Sequence, residues 1–221
     1  HSPYQASGEN TKIIKQLKKA HISIHYASSH YLLTHQKTLL IDKQRAIIMT
    51  GNFTYSGFYR QRNFIVKTNN PNVVENLSQL FNTDWNKTTN TLPPKDSALV
   101  LSPKSSWQAI KKLIENAHYK LDIYALELTD DRVIQTLLKQ KVNIRIIISR
   151  STKITSKNKF CQSHIDIHRL NKLDQHAKAL LRDYNHNNAL AYVGSANLSY
   201  PSLSKNREAG MLFSDKAALN T

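Results

Sequence analysis

Apolar residues recur along this chain with two alternating periods. In "NTKIIKQLKKA", Ile13, Ile14 and Leu17 share one face of a helix, and "HISIHY" then alternates as a half-buried strand does. "KTLLIDKQRAIIMT" predicts a hairpin with its turn at Lys43-Gln44. "NVVENLSQLFNTDW" predicts an amphipathic helix on Val73, Val74, Leu77, Leu80 and Phe81. The polar stretch "NKTTNTLPPKD" follows, in which Pro93-Pro94 bars regular structure and marks a linker. Beyond it "ALVLS" (strand), "SWQAIKKLIENA" (helix), "KLDIYAL" (strand), "TDDRVIQTLLKQ" (helix) and "VNIRIIIS" (strand) run in sequence. That βαβαβ order predicts an α/β fold with a mostly parallel sheet covered by helices.

The pattern also repeats. "THQKTLLIDKQRAIIMTGNFT" and "QHAKALLRDYNHNNALAYVGSANLS" share one order: histidine, lysine two residues on, aspartate five further, then a hydroxyl residue and an asparagine. These are His35, Lys37, Asp42, Thr50 and Asn52 in the first copy, and His176, Lys178, Asp183, Ser195 and Asn197 in the second. The spacing continues downstream, where Asn63 of "RNF" aligns with Glu208 of "NRE". The insert "YNHNN" is the one length difference, and its polar, Asn-rich character marks a hairpin loop. Far more chain separates the linker from His176 than precedes His35. By analogy between the halves, a strand-helix-strand unit is expected before His1, with "HSPYQAS" as the loop leaving it. The domains expected are residues 1–88 (an incomplete first lobe), 89–96 (linker) and 97–221 (second lobe).

Composition narrows the partner. The 221 residues carry a formal net charge of +16, spread along the chain rather than gathered in a tail. This favours an anionic partner: nucleic acid, an anionic membrane or a phosphorylated substrate. The single cysteine, Cys161, excludes an internal disulfide and leaves the compartment open. No apolar run approaches the ~18 residues of a membrane span, and no signal peptide is visible.

On a strand, residues two apart point to one face, so His35 projects with Lys37 and His176 with Lys178. Two such copies facing each other supply two imidazoles, two ammoniums and two amides around one pocket. That set suits a phosphodiester, whose negative charge grows on a five-coordinate phosphorus. One imidazole attacks phosphorus while the other protonates the leaving oxygen, and water or an alcohol resolves the phosphohistidine. The lysines supply the charge, so neither metal nor cofactor is expected.

The doubled His-x-Lys-x4-Asp motif with its trailing asparagine resembles the phospholipase D superfamily, and the similarity extends through "FNTDW" and "NREAGM". The resemblance implies two α/β lobes, each a mixed sheet flanked by helices, related by pseudo-twofold symmetry with the site between them. It assigns catalytic roles to His35, Lys37, Asn52, His176, Lys178, Asn197 and Glu208. It makes Thr50 and Ser195 phosphate-binding hydroxyls, and casts Asp42 and Asp183 as braces behind the motif. Members commonly place an acid where Asn63 and Glu208 stand, to orient the histidine of the opposite lobe; Asn63 breaks that pattern. The resemblance implies phospholipid headgroup hydrolysis or transfer. Its rivals are an endonuclease using the same histidines, and a catalytically weak member bound to anionic membranes. Lesser candidates are Glu127, which could line the pocket, and Thr129 to Asp131, read as a helix cap. His21, His25 and His30 are read as solvated histidines, not metal ligands.

Overall fold

The computed structural model describes residues 8–88, 98–152, 154, 164–171 and 173–219. The expected linker, Cys161 and "HSPYQAS" lie outside the described residues. The elements are α1 (Gly8–Lys19), β1 (Thr38–Ile41), β2 (Arg45–Met49), α2 (Tyr55–Tyr59), β3 (Gln61–Arg62), β4 (Ile65–Thr68) and α3 (Pro71–Asn86). There follow β5 (Leu99–Ser102), α4 (Ser106–Glu115), β6 (Lys120–Ala125), α5 (Asp131–Leu138), β7 (Asn143–Ser149), β8 (Ile165–Leu170), β9 (Asp174–Gln175), β10 (Ala179–Arg182), β11 (Leu190–Gly194) and β12 (Glu208–Phe213). Short helices Tyr200–Ser204 and Lys216–Leu219 complete the chain.

The larger sheet has the order β5-β12-β11-β10-β6-β7-β8. It is mixed rather than mostly parallel. β6-β7 and β7-β8 are parallel, as the βαβ pattern requires, but β10, β11 and β12 form an antiparallel meander inserted between β5 and β6. β10 and β11 form the hairpin that the "YNHNN" loop predicts, and β12 returns antiparallel beside β11 after a longer connection that carries the helix Tyr200–Ser204. The smaller sheet, β1-β2-β4, repeats the β10-β11-β12 meander strand for strand.

One apolar core joins the sheets. Ala46 and Ile48 of β2 and Val73, Val74, Leu77 and Leu80 of α3 pack with Leu99 and Leu101 of β5 and Ala209 and Met211 of β12. The expected face of α3 is thus buried except for Phe81, which is 53% exposed and stacks on Trp85 instead. A second core under α4 and α5 fills the rest of the large sheet. Asp130 caps α5 by accepting from the Arg132 amide at 2.9 Å, as the cap reading of "TDD" anticipates. "HISIHY" is not a strand: among the described residues no strand offers it hydrogen bonds, and His25 lies stacked on Trp85 with ring centroids 3.7 Å apart.

The two motif aspartates share a backbone role. Asp42 and Asp183 each follow a hairpin strand with left-handed φ values of 53° and 51°, a region aspartate tolerates better than most residues. Only Asp183 also braces. Its buried carboxylate accepts from the amides of His118, Tyr119 and Lys120 at 2.7–3.2 Å and from Asn188 Nδ2. Burial acts to raise its pKa, but these donors outweigh it and hold the carboxylate below its ordinary value. Asp42 is exposed and makes no side-chain hydrogen bond among the described residues, where β1 has no neighbour corresponding to β6.

Asp183→Ala is expected to cost ~3 kcal/mol by orphaning buried amide donors, and Asp42→Ala ~1 kcal/mol for the left-handed backbone alone. Urea denaturation of both variants checks this; equal losses would remove the bracing role. Because the folded pKa of Asp183 is depressed, its contribution is present above the unfolded carboxylate pKa. It is lost as pH falls through the folded value.

Candidate active site

The two motifs enter the site on matching extended segments. Lys37 and Lys178 stand one residue before β1 and β10, and each curls back to donate to the carbonyl oxygen of its own motif histidine, at 2.5 and 2.7 Å. Short backbone ladders then cross between the motifs. Thr34 pairs with Arg207, and the His35 amide donates to the Arg207 carbonyl at 2.9 Å. In the mirror position β3 pairs in parallel with β9, and the His176 amide donates to the Arg62 carbonyl at 3.1 Å. Each ladder sets a histidine beside the residue that follows the arginine: Glu208 for His35, and Asn63 for His176.

The side chains complete the crossing. His35 Nδ1 lies 2.9 and 3.1 Å from the two Glu208 oxygens. Glu208 is fully buried and also accepts from Ser195 Oγ at 2.6 Å and Asn206 Nδ2 at 3.2 Å. His176 Nδ1 lies 3.2 Å from Asn63 Oδ1. The Asn63 amide is locked in orientation: Nδ2 donates to the Gly57 carbonyl at 2.8 Å, and Oδ1 accepts from Thr50 Oγ1 at 3.0 Å. Gly51 makes this possible, since a Cβ there would stand 2.5 Å from the Asn63 side chain. Thr50 and Ser195, both fully buried, donate to the orienting residues Asn63 and Glu208.

Asn52 and Asn197 sit in the turns after β2 and β11, without a hydrogen bond to either histidine among the described residues. Asn52 is exposed, whereas Asn197 is buried and its Oδ1 has no partner among the described residues.

The electrostatics are unequal. Burial, then Lys178, Lys37 and His35, lower the His176 pKa to about 4. Burial lowers Lys37 to about 8 against the pull of Glu208. Burial and Lys37 lower Lys178 to about 7, opposed by Glu208, Glu127 and Asp174. Glu127 is thus close enough to act on the site. So is Asp174, which the sequence reading missed; it accepts from Ser149 Oγ at 2.9 Å. Its place two residues before His176 was the available signal, since such residues share a face. Also missed was the support behind Glu208, where Arg207 bonds Asp84 at 2.9 Å and Tyr31 Oη. Among the described residues no group of three His, Cys, Asp or Glu side chains is placed to hold a metal.

A family model for the PLD-like domain of cardiolipin synthase matches residues 2–85 and 110–221. The chain belongs to this family. Its fold is shared with polyphosphate kinase from Porphyromonas gingivalis at TM-score 0.74 and 18% identity, over 97% of this chain and 37% of that one. Phosphatidylserine synthase from Haemophilus influenzae Rd KW20 is similar at TM-score 0.61 and 13% identity, over 84% of this chain and 59% of that one. The PLD-like chain thus spans little more than a third of the first relative and under two thirds of the second. Comparison with curated proteins gives no match. Membership places this PLD-like chain in a superfamily of phosphodiesterases and phosphotransferases.

Proposed function

We propose that this protein transfers or hydrolyses phospholipid headgroups through a covalent phosphohistidine on His35. The observation that carries the reading is the crossed arrangement of two His–Lys pairs, each histidine oriented by a residue of the opposite motif. Glu208 accepts the His35 Nδ1–H, which leaves a lone pair on Nε2 and stabilises the positive charge that builds as Nε2 attacks phosphorus. Lys37 makes one hydrogen bond among the described residues, to the His35 carbonyl, and has two hydrogens left for non-bridging phosphate oxygens. His176 stands opposite as the proton donor to the leaving oxygen. Water or an alcohol then attacks the phosphohistidine, with His176 as base.

The assay is headgroup release from phosphatidylcholine or phosphatidylglycerol vesicles with ethanol present. Phosphatidylethanol is expected to form at the expense of phosphatidic acid, because an alcohol competes with water for the intermediate. Chelator is expected to leave the rate unchanged, since the site's cations are lysines. Plasmid cleavage without lipid turnover would replace this reading with the nuclease, for which the +16 charge is the supporting observation. Salt-sensitive vesicle binding with no turnover of either would make the chain a binding module.

A further inference from the structure

The two motifs exchange contacts reciprocally. The His35 amide donates to the Arg207 carbonyl and the His176 amide to the Arg62 carbonyl, so each copy gives the other what it receives. Such reciprocity defines a local twofold axis, which passes between the two histidines. Residues at matching positions of the copies therefore stand at matching depth along that axis, on opposite sides of the site.

One such set is exposed in both copies. Tyr55 stands three residues after Asn52 and Tyr200 three after Asn197; five further on come Arg60 and Lys205. Each tyrosine opens a five-residue helix, and each cation is the residue that caps its C-terminal end. Tyr55 is 68% exposed and Tyr200 is 50% exposed, with both cations exposed beside them. Arg60 lies over the Tyr55 ring and Lys205 over the Tyr200 ring, each 5.5 Å from the centroid. Neither cation has an acidic partner among the described residues, whereas Arg132, also over Tyr200, is paired with Asp130 at 2.6 Å. Phe53 and Phe58 are exposed too, but their counterparts Leu198 and Leu203 are buried in the large core. Only the tyrosines and their cations keep their exposure in both lobes.

We propose that the two tyrosine–cation pairs seat the flanks of the site on an anionic phospholipid bilayer. The inference rests on the headgroup-transfer reading and names the surface from which that substrate is drawn. A phenol, apolar in its ring and polar at its tip, suits the boundary between headgroups and acyl chains, and a cation beside it meets lipid phosphate. Two pairs at matching depth are touched together by a flat surface lying across the axis, and a bilayer is such a surface. The net charge of +16 draws the whole chain toward it. The ring contacts favour lipid over nucleic acid. A stacked base needs an open ring face, but Tyr200 already carries Arg132 and Lys205, while Tyr55 carries Arg60 and stacks on Tyr59 at 4.7 Å.

The test separates docking from chemistry. The full chain is compared with two variants, Tyr55→Ser with Tyr200→Ser, and Arg60→Gln with Lys205→Gln. Flotation with vesicles of equal parts phosphatidylcholine and phosphatidylglycerol reads binding. The charge variant is expected to lose ~10–30-fold in vesicle affinity, and its remaining binding to depend less on salt. The tyrosine variant is expected to lose about tenfold. Headgroup release from the same vesicles should fall in parallel at limiting lipid and recover at saturating lipid. On dihexanoylphosphatidylcholine below its micellar concentration both variants should match the wild type, which also shows that they fold.

Equal losses on vesicles and on the monomeric lipid overturn the proposal, since the residues then serve the chemistry or the fold. Unchanged vesicle affinity in both variants overturns it as well, as does a wild type that does not bind vesicles. Loss of binding to a single-stranded oligonucleotide with vesicle binding intact would assign the pairs to nucleic acid instead. If the wild type binds vesicles but releases no headgroup from either lipid, the transfer reading fails, while flotation of the variants still decides the docking surface.

Discussion

His35→Ala is expected to abolish turnover and the covalent intermediate together, whereas His176→Ala is expected to abolish turnover while letting that intermediate accumulate. The difference comes from what holds each Nδ1. The Glu208 carboxylate, fully buried 2.9 Å from His35 Nδ1, fixes the proton there and leaves Nε2 as the free nitrogen. It also offsets the charge of the imidazolium that phosphorylation creates. His176 has no such counter-charge and, with its pKa lowered to about 4, would form a poorly supported phosphoimidazolium. Without His35 there is no nucleophile, and activity should fall to background. Without His176 an alkoxide must leave unassisted, a loss of ~10²–10⁴-fold on a phospholipid. A nitrophenyl ester, which needs no acid, should still phosphorylate His35 and then stall, because no base activates water. Intact-mass measurement after mixing with bis(p-nitrophenyl) phosphate reads the result directly. An adduct is expected in His176→Ala and none in His35→Ala; the opposite pattern exchanges the two roles.

Much of the fold is written in the periodicity. The helices α3, α4 and α5 carry their buried residues at helical spacing, and β5, β6 and β7 stand where short apolar runs place them. What periodicity does not carry is pairing. "HISIHY" alternates like a strand yet has no strand to bond among the described residues, and the parallel character inferred from βαβαβ fails where a meander from distant sequence enters the sheet. β3 and β9 are two residues each, too short to show any period, yet they align the motifs with each other.

The site divides in the same way. The histidines, the lysines, Glu208 and Asn63 were legible because the repeat marked each position twice. Their division of labour was not. Lys37 and Lys178 are indistinguishable in sequence, and only the structure shows, among the described residues, one hydrogen-bond partner on the first and three on the second. Thr50 and Ser195 match phosphate-binding hydroxyls by position, but their partners are Asn63 and Glu208. The two aspartates look equivalent until Asp183 is seen to bind amides from a segment that has no counterpart beside Asp42 among the described residues.

Asn63→Asp is expected to shift the alkaline limb of the pH profile of kcat/KM upward by ~1–3 units, leaving the acidic limb nearly fixed. The acid half of the site is the coupled pair His176–Lys178, and activity falls when that pair loses its proton. In the wild type this happens near pH 7, the value to which burial and Lys37 bring Lys178. A carboxylate at position 63, about where Asn63 Oδ1 now lies 3.2 Å from Nδ1, stabilises the protonated pair whichever partner holds the proton. The sign is therefore upward. The acidic limb stays nearly fixed because the substitution leaves the His35–Glu208 pair untouched.

The variant has a structural cost too. Its second oxygen replaces Nδ2 and meets the Gly57 carbonyl, now 2.8 Å away, without a hydrogen to offer, for a loss of ~1–3 kcal/mol in stability. Thermal melting separates that loss from the titration, because a weakened fold lowers amplitude without moving a limb. If the acidic limb moves instead, His176 is the nucleophile and the roles exchange. If neither limb moves, residue 63 does not touch the histidine that titrates.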